Sequence, residues 1–189
     1  MSPRERLLAA TIDYLASNGV ADLSLRKLAA EIGTSHRMLI YHFGSKDGLL
    51  VAVVQATEDR QRAALAEIER SLGGGASPAS LTRLMWQRLA DPELAPYERL
   101  FFELYGRALQ GDPNVTPLLD GIVESWLGPT AELLERAGVP AEHARAQARL
   151  GMAATRGLLL DLLATGDRAA CDAAIERLIA LTEIELGAG

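Results

Sequence analysis

The sequence predicts an all-α chain, and three observations carry that reading. Apolar residues recur at three- and four-residue spacing along most of the chain, while serine, threonine, glycine and proline punctuate the places where such runs start and stop. No segment alternates apolar and polar residues as a half-buried strand does, and no internal repeat is present. Of 189 residues, 49% are apolar but only 5% aromatic, the balance of an alanine- and leucine-rich helical globule with enough apolar surface to bury a core.

Leu8, Ile12 and Leu15 form the stripe of a first helix, which Ser17, Asn18 and Gly19 close. Ser24 stands at the N-cap of a short second helix with the stripe Leu25, Leu28, Ala29 and Ile32, and Gly33 ends it. Thr34 or Ser35 caps a third helix reaching Phe43, with Leu39 and Phe43 on one face, and Gly44 breaks it. Ser45 caps a fourth that begins at Lys46 and is long enough, to Leu72, to act as a strut between two subdomains. Gly73 to Pro78 is a low-complexity loop. Beyond it, helices are expected over 79–90, 94–110, 115–137, 140–165 and 167–186, with Gly128 and Pro129 kinking or splitting the third of these.

The formal charge is −6, which excludes a protein that binds nucleic acid over its whole surface. The charge is uneven. Residues 1–46 carry Arg4, Arg6, Arg26, Lys27, Arg37 and Lys46 against Glu5, Asp13, Asp22 and Glu31, a net +2, and the remainder carries −8. The two parts therefore face different partners. Cys171 is the only cysteine, so neither an intrachain disulfide nor a Cys-based zinc site is expected, and a reducing compartment is implied. Asp13 and Asn18 interrupt any signal-peptide pattern, and the most apolar stretch, GMAATRGLLLDLLATG, is broken by Arg156 and Asp161 and too short for a bilayer. A soluble cytoplasmic protein without a membrane partner is expected.

Enzymatic signatures are missing: there is no HExxH, P-loop or G-x-S-x-G, and the glycines at 73–75 lead into Ala-Ser-Pro rather than a Lys-Ser/Thr helix start. His143 beside Glu142, and Asp161, Asp167 and Asp172, lack metal-ligand spacing. The expectation is a non-enzyme with no cofactor and no metal.

Three short helices with a glycine turn between the second and third match the helix-turn-helix plan, whose last helix enters the DNA major groove. If Leu39 and Phe43 face the core, Ser35, His36, Arg37 and Met38 fall on the opposite face or leading end of the third helix, the part that reaches base edges. An arginine there can pair with guanine O6 and N7, and Ser35 or His36 can donate to bases or phosphates. Taken alone, His36 and Arg37 would also suit a solvated helix face. Lys46 is more telling. A lysine opposes the positive end of a helix dipole unless an anion binds there.

The stretch SLRKLAAEIGTSHRMLIYHFGSKDGLL, with RERLLAATIDYLASNG before it, resembles the DNA-binding signature of the TetR family of one-component regulators over about residues 4–50. The resemblance implies that Ser24 and Lys46 hold backbone phosphates and that Arg26 reaches a base edge. It places Ser35, His36, Arg37 and Met38 at base-reading positions, and Tyr41 and His42 where the family grips phosphate. Ile40 departs from the pattern, standing where the family usually has an aromatic, so the grip falls to Tyr41 and His42.

The resemblance also divides the chain into a helix-turn-helix domain at 1–46 and a helical effector-binding and dimerisation domain at 47–189. The last two helices would pair with their twins in a homodimer, and Leu158, Leu159, Leu162, Leu163, Ile175, Leu178, Ile179 and Leu181 give them broad apolar stripes. Met85, Trp86, Phe102, Tyr105, Arg107 and Trp126 are the candidate lining of an effector pocket, an apolar set with few polar groups, although the aromatics would serve equally as ordinary core. The expected function is a ligand-responsive regulator, a repressor that binds a palindromic double-stranded operator and is released by a small apolar effector. The alternative is a helical small-molecule-binding or interaction protein whose DNA binding has weakened.

Overall fold

The computed structural model describes residues 1–19, 23–71 and 77–187. Nine α-helices and one short 3-10 helix account for the elements among them, with no strand. The glycine run at 73–75 and the expected end of the fourth helix at Leu72 lie outside the described residues. By packing, the chain forms two compact units, Met1–Arg60 with Glu93–Asp120, and Gln61–Pro92 with Gly121–Gly189.

In the first unit, helix α1 (Pro3–Asn18) starts with a reciprocal cap: Ser2 Oγ accepts from the Glu5 amide at 3.2 Å, and the Glu5 carboxylate accepts from the Ser2 amide at 2.7 Å. Its buried face is Thr11, Ile12 and Leu15, with the Thr11 hydroxyl satisfied by the Leu7 carbonyl. Helix α2 (Leu25–Glu31) ends in a Schellman turn. The Thr34 amide reaches back to the Ala29 carbonyl, the Gly33 amide to that of Ala30, and Gly33 takes φ 68°, which a side chain would strain. That turn aims helix α3 (His36–Phe43), capped by Ser35, whose Oγ accepts from the Met38 amide.

Between α3 and helix α4 (Lys46–Ser71) the chain reverses within three residues. Gly44 has φ 77° and ψ −49°, and the Ser45 amide donates to the Phe43 carbonyl at 2.9 Å, a γ-turn. Ser45 Oγ then caps α4 by accepting from the Gly48 amide. The run Leu49 to Val54 is buried at every position, so this part of α4 is covered on all sides. One of its neighbours is helix α6 (Ala95–Leu109), which buries Tyr97, Leu100, Phe101, Leu104 and Ala108 along one face. The Tyr97 hydroxyl donates to the Ile12 carbonyl at 2.8 Å, tying α6 to α1. Val115 and Leu118, around the 3-10 helix Thr116–Leu119, complete the unit's apolar core.

The second unit holds helix α5 (Pro78–Leu89), helix α7 (Glu124–Arg136), helix α8 (Ala141–Thr165) and helix α9 (Arg168–Gly187). Helices α7 and α8 form a hairpin around Leu127, Ala131, Leu134, Val139, Ala144 and Ala148, whose many alanines let the two backbones approach closely. Polar contacts tie α5 to α9: Arg83 grips Glu176 with two nitrogens, and the Trp86 indole N–H donates to Asp172 at 2.6 Å.

One expected element is corrected. The segment 115–137 is not a single helix split at Pro129. It comprises the 3-10 helix, a turn in which Gly121 adopts φ 71°, and α7, which runs through Pro129. The proline costs α7 one bond, the one its missing N–H would make to the Ser125 carbonyl, and the helix continues on the others. The break falls instead where glycine permits a positive φ.

Candidate nucleic-acid interface

The three head helices expose most of the expected residues. Leu28, Ala29, Leu39 and Phe43 turn inward, with Leu28 and Leu39 no more than 1% exposed. Ser35, His36, Arg37 and Met38 at the leading end of α3 are all exposed, as are Arg26 and Lys27 on α2 and Lys46 at the start of α4. Tyr41 stands out from α3 at 78% exposure, far more than a packing tyrosine shows. The local structure also fixes which hydrogen-bonding capacity remains. Ser35 Oγ spends an acceptor site on the Met38 amide but keeps its O–H to donate, while Ser24 occupies its N-cap position with no side-chain cap bond.

His42 is placed differently from its neighbours. Its Nε2 is buried and has no hydrogen-bond partner, and its ring meets Tyr41 edge-on with centroids 5.0 Å apart. That nitrogen cannot reach a phosphate in this conformation, so the exposed groups flanking the end of α3 are Tyr41 and Lys46. Ile40, at the family's usual aromatic position, is half-buried.

The head's cations differ from many of those farther along the chain in how they are partnered. Among the described residues, none of Arg4, Arg6, Arg26, Lys27, Arg37 and Lys46 forms an ion pair; Arg6 donates to the Met1 carbonyl and Arg4 lies over the Phe43 ring. Farther along, carboxylates take up the charge of Arg70, Arg83, Arg107, Arg136, Arg145 and Arg168. Exposed cations with no carboxylate partner among the described residues suit a polyanion, because no ion pair has to be broken for binding.

The six candidate effector residues divide between the two units, three in each. In the first, Phe101 stacks on Tyr105 with centroids 5.4 Å apart and meets Phe102 edge-on. Arg107 there is engaged: Nη1 donates to Asp47 at 3.0 Å, and Nη2 and Nε donate to Asp112 at 2.7 and 3.0 Å. The paired carboxylates of Asp47, first, and Asp112 raise the Arg107 pKa, and Arg107, helped by the Asn114 amide, holds the Asp112 carboxyl below its usual range. In the second unit Met85 and Trp86 are buried, and the bond from Trp86, with that from Arg168, lowers the Asp172 pKa. Trp126 is half-buried under the Arg62 guanidinium, 5.8 Å from its ring centre, while Arg62 also donates to Ser125 Oγ.

Sequence reasoning missed Asp47 altogether. Its partner Arg107 is 60 positions away, and no local pattern marks the pair. Among the described residues no group of three or more His, Cys, Asp or Glu side chains is arranged to hold a metal ion, and no helix is long and apolar enough to cross a membrane.

The comparisons with known proteins agree with this geometry. The family described as bacterial regulatory proteins, tetR family, matches residues 7–53. No curated protein matches the sequence. Among solved structures, a transcriptional regulator from Rhodococcus sp. Rha1 is similar with a TM-score of 0.73 and 24% identity, over 95% of each chain. A TetR transcriptional regulator from Legionella pneumophila aligns over 94% of this chain and 96% of its own at 18% identity and a TM-score of 0.66. The multidrug binding protein EbrR, solved with imidazole, aligns over 94% of this chain and 90% of its own, with 26% identity and a TM-score of 0.63. The segment that matches this family lies in the exposed, cationic head, whose three helices have the helix-turn-helix arrangement, and the all-helical fold is shared with these solved structures over nearly the whole chain.

Proposed function

We propose that the protein is a homodimeric, ligand-responsive repressor that binds a palindromic operator and is released by a small apolar effector. The observation that carries this reading is the head's exposed reading edge, Ser35, His36, Arg37 and Met38, set among cations that no carboxylate pairs among the described residues. In this reading Arg26 joins the base contacts from α2, Ser24, Tyr41 and Lys46 hold phosphates, and His42 positions Tyr41 through their ring contact. The functional division stays at 1–46 for DNA and 47–189 for effector and partner. Two such heads one helical turn apart, roughly 34 Å, would enter successive major grooves.

Leu150, Leu160 and Leu181 on α8 and α9 are 65%, 50% and 47% exposed in the single chain, an apolar face that supports pairing through these helices. The fold relative EbrR is a multidrug binding protein, which supports a small-molecule effector for this chain. A ligand held among Phe102 and Tyr105, or among Met85, Trp86 and Trp126, would change operator affinity by binding one arrangement of the heads better than another. The Arg107–Asp47 pair offers a mechanical route, because it fastens α6 to the first turn of α4, one residue from Lys46. Replacing Arg107 with methionine is expected to lower hydrogen-exchange protection at the Leu50 and Val51 amides by roughly two- to fivefold. Unchanged protection there would show that the pair does not hold α4.

Selection of bound fragments from the native genome tests the function itself. A palindromic sequence should be enriched, and the log affinity for it should fall steeply with log salt. Lys46→Ala should reduce that slope by about one for each head. The alternative, a helical binding protein with weakened DNA contact, draws on Ile40 and on the covered Nε2 of His42. It would be favoured by the absence of any enriched fragment at low salt.

A further inference from the structure

We propose that Arg4 is a phosphate-binding residue of the DNA interface, lying outside the helix-turn-helix and ahead of the segment that matches the family. The inference rests on the DNA-binding reading of the head and extends its contact surface to α1. The Arg4 guanidinium lies over the Phe43 ring, 5.1 Å from its centre, so a side chain from the start of the chain is fixed against the last residue of the recognition helix. Tyr41 precedes Phe43 by two residues and Lys46 follows it by three, across the γ-turn. Arg4 therefore stands at the C-terminal end of α3, on the Phe43 side, where the γ-turn leads into Lys46 at the start of α4.

Its chemistry there is unfinished. The ring contact gives the guanidinium's five in-plane N–H donors no hydrogen-bond acceptor. Among the described residues Arg4 has no hydrogen-bond acceptor and no carboxylate partner; the adjacent Glu5 is occupied by the Ser2 amide. Arg4 is also the second residue of α1, where the positive end of the helix dipole disfavours a cation, the same mismatch that Lys46 shows in α4. An exposed arginine immobilised on a ring, with all its in-plane donors unfilled, is prepared for the planar, paired recognition of a phosphate. The contact would carry no sequence preference, because every base step presents the same phosphate.

The test uses the full-length protein and a random-sequence duplex of about 30 base pairs, with binding followed by fluorescence anisotropy over a salt series. Arg4→Met keeps an apolar cover on Phe43 and removes the charge. It should lower the slope of log affinity against log salt by about 0.9 for each bound head, roughly an eightfold loss at 0.1 M salt, with the thermal midpoint of the protein unchanged. Arg4→Lys should keep the slope while losing part of the affinity. A wild-type slope preserved in Arg4→Met would overturn the proposal and leave Arg4 as a cover for Phe43, even if the thermal midpoint fell. A wild-type protein that shows no salt-dependent binding would overturn the DNA-binding reading itself, which is a separate and visible failure.

Discussion

Gly48→Ala is expected to destabilise the helix-turn-helix head by about 1 kcal/mol, although alanine is the better helix former. A Cβ built on Gly48 would lie 2.1 Å from the Phe43 carbonyl oxygen, with the Phe43 carbonyl carbon at 3.3 Å and Ser45 Oγ at 3.4 Å. The neighbour is backbone, and it cannot swing aside as a long side chain would. Gly48 does not need its own backbone freedom, since its φ lies outside the left-handed region. What it supplies is space. Alanine in a helix gains about 1 kcal/mol over glycine, whereas forcing an extra carbon into a packed site costs about 1–3 kcal/mol, more when the backbone must move. The clash therefore wins.

The displacement would fall on the joint between α3 and α4, because the Phe43 carbonyl also accepts from the Ser45 amide in the γ-turn. Recognition helix and Lys46 would shift relative to each other, so DNA affinity should drop by more than the loss of folded protein explains. Chemical denaturation measures the first effect and binding at saturating folded fraction the second. A midpoint equal to or above wild type would show that the joint relaxes at no cost and that the glycine at 48 is not required.

Much of the head was legible because its punctuation is local. Gly33 and Gly44 each occupy a positive φ, and Ser35 and Ser45 each cap the helix that follows, so composition alone placed the α2–α3 turn and the α3–α4 break. The inward faces followed from spacing, as with Leu39 and Phe43 one turn apart. Gly48 was not legible, since glycine near a helix start reads as a weak helix former, and its reason is a backbone atom supplied by tertiary approach.

The same limit applies to α6. Its joining of the head's packing unit depends on Tyr97 meeting Ile12 across 85 positions and Arg107 meeting Asp47 across 60, and neither pair leaves a periodic trace. Pro129 misled for a different reason. A proline inside a helix removes one bond, a loss that the rest of α7 outweighs, while the reversal at Gly121 needs a φ that a side chain would strain. For the candidate effector residues, spacing identified apolar faces but could not show that the Trp86 indole is committed to Asp172 or the Arg107 guanidinium to two carboxylates.

The second large effect concerns Arg37. It is exposed at the leading end of α3, held there by the Ser35 cap, and forms no ion pair among the described residues. A bidentate arginine–guanine contact discriminates by about 1–3 kcal/mol, which corresponds to roughly 5- to 150-fold in affinity. A phosphate contact in the same place would instead weaken all sequences alike. The most direct measurement of the central claim, that this edge of α3 reads bases, is therefore the affinity of wild type and Arg37→Ala for the genome-selected site and for a scrambled duplex of the same length at one salt concentration. The account predicts a loss of roughly 5- to 150-fold on the selected site, relaxed preference at one base pair and a much smaller change on the scrambled duplex. An equal loss on both would contradict it, and Arg37 would then be a phosphate contact rather than a reader of sequence.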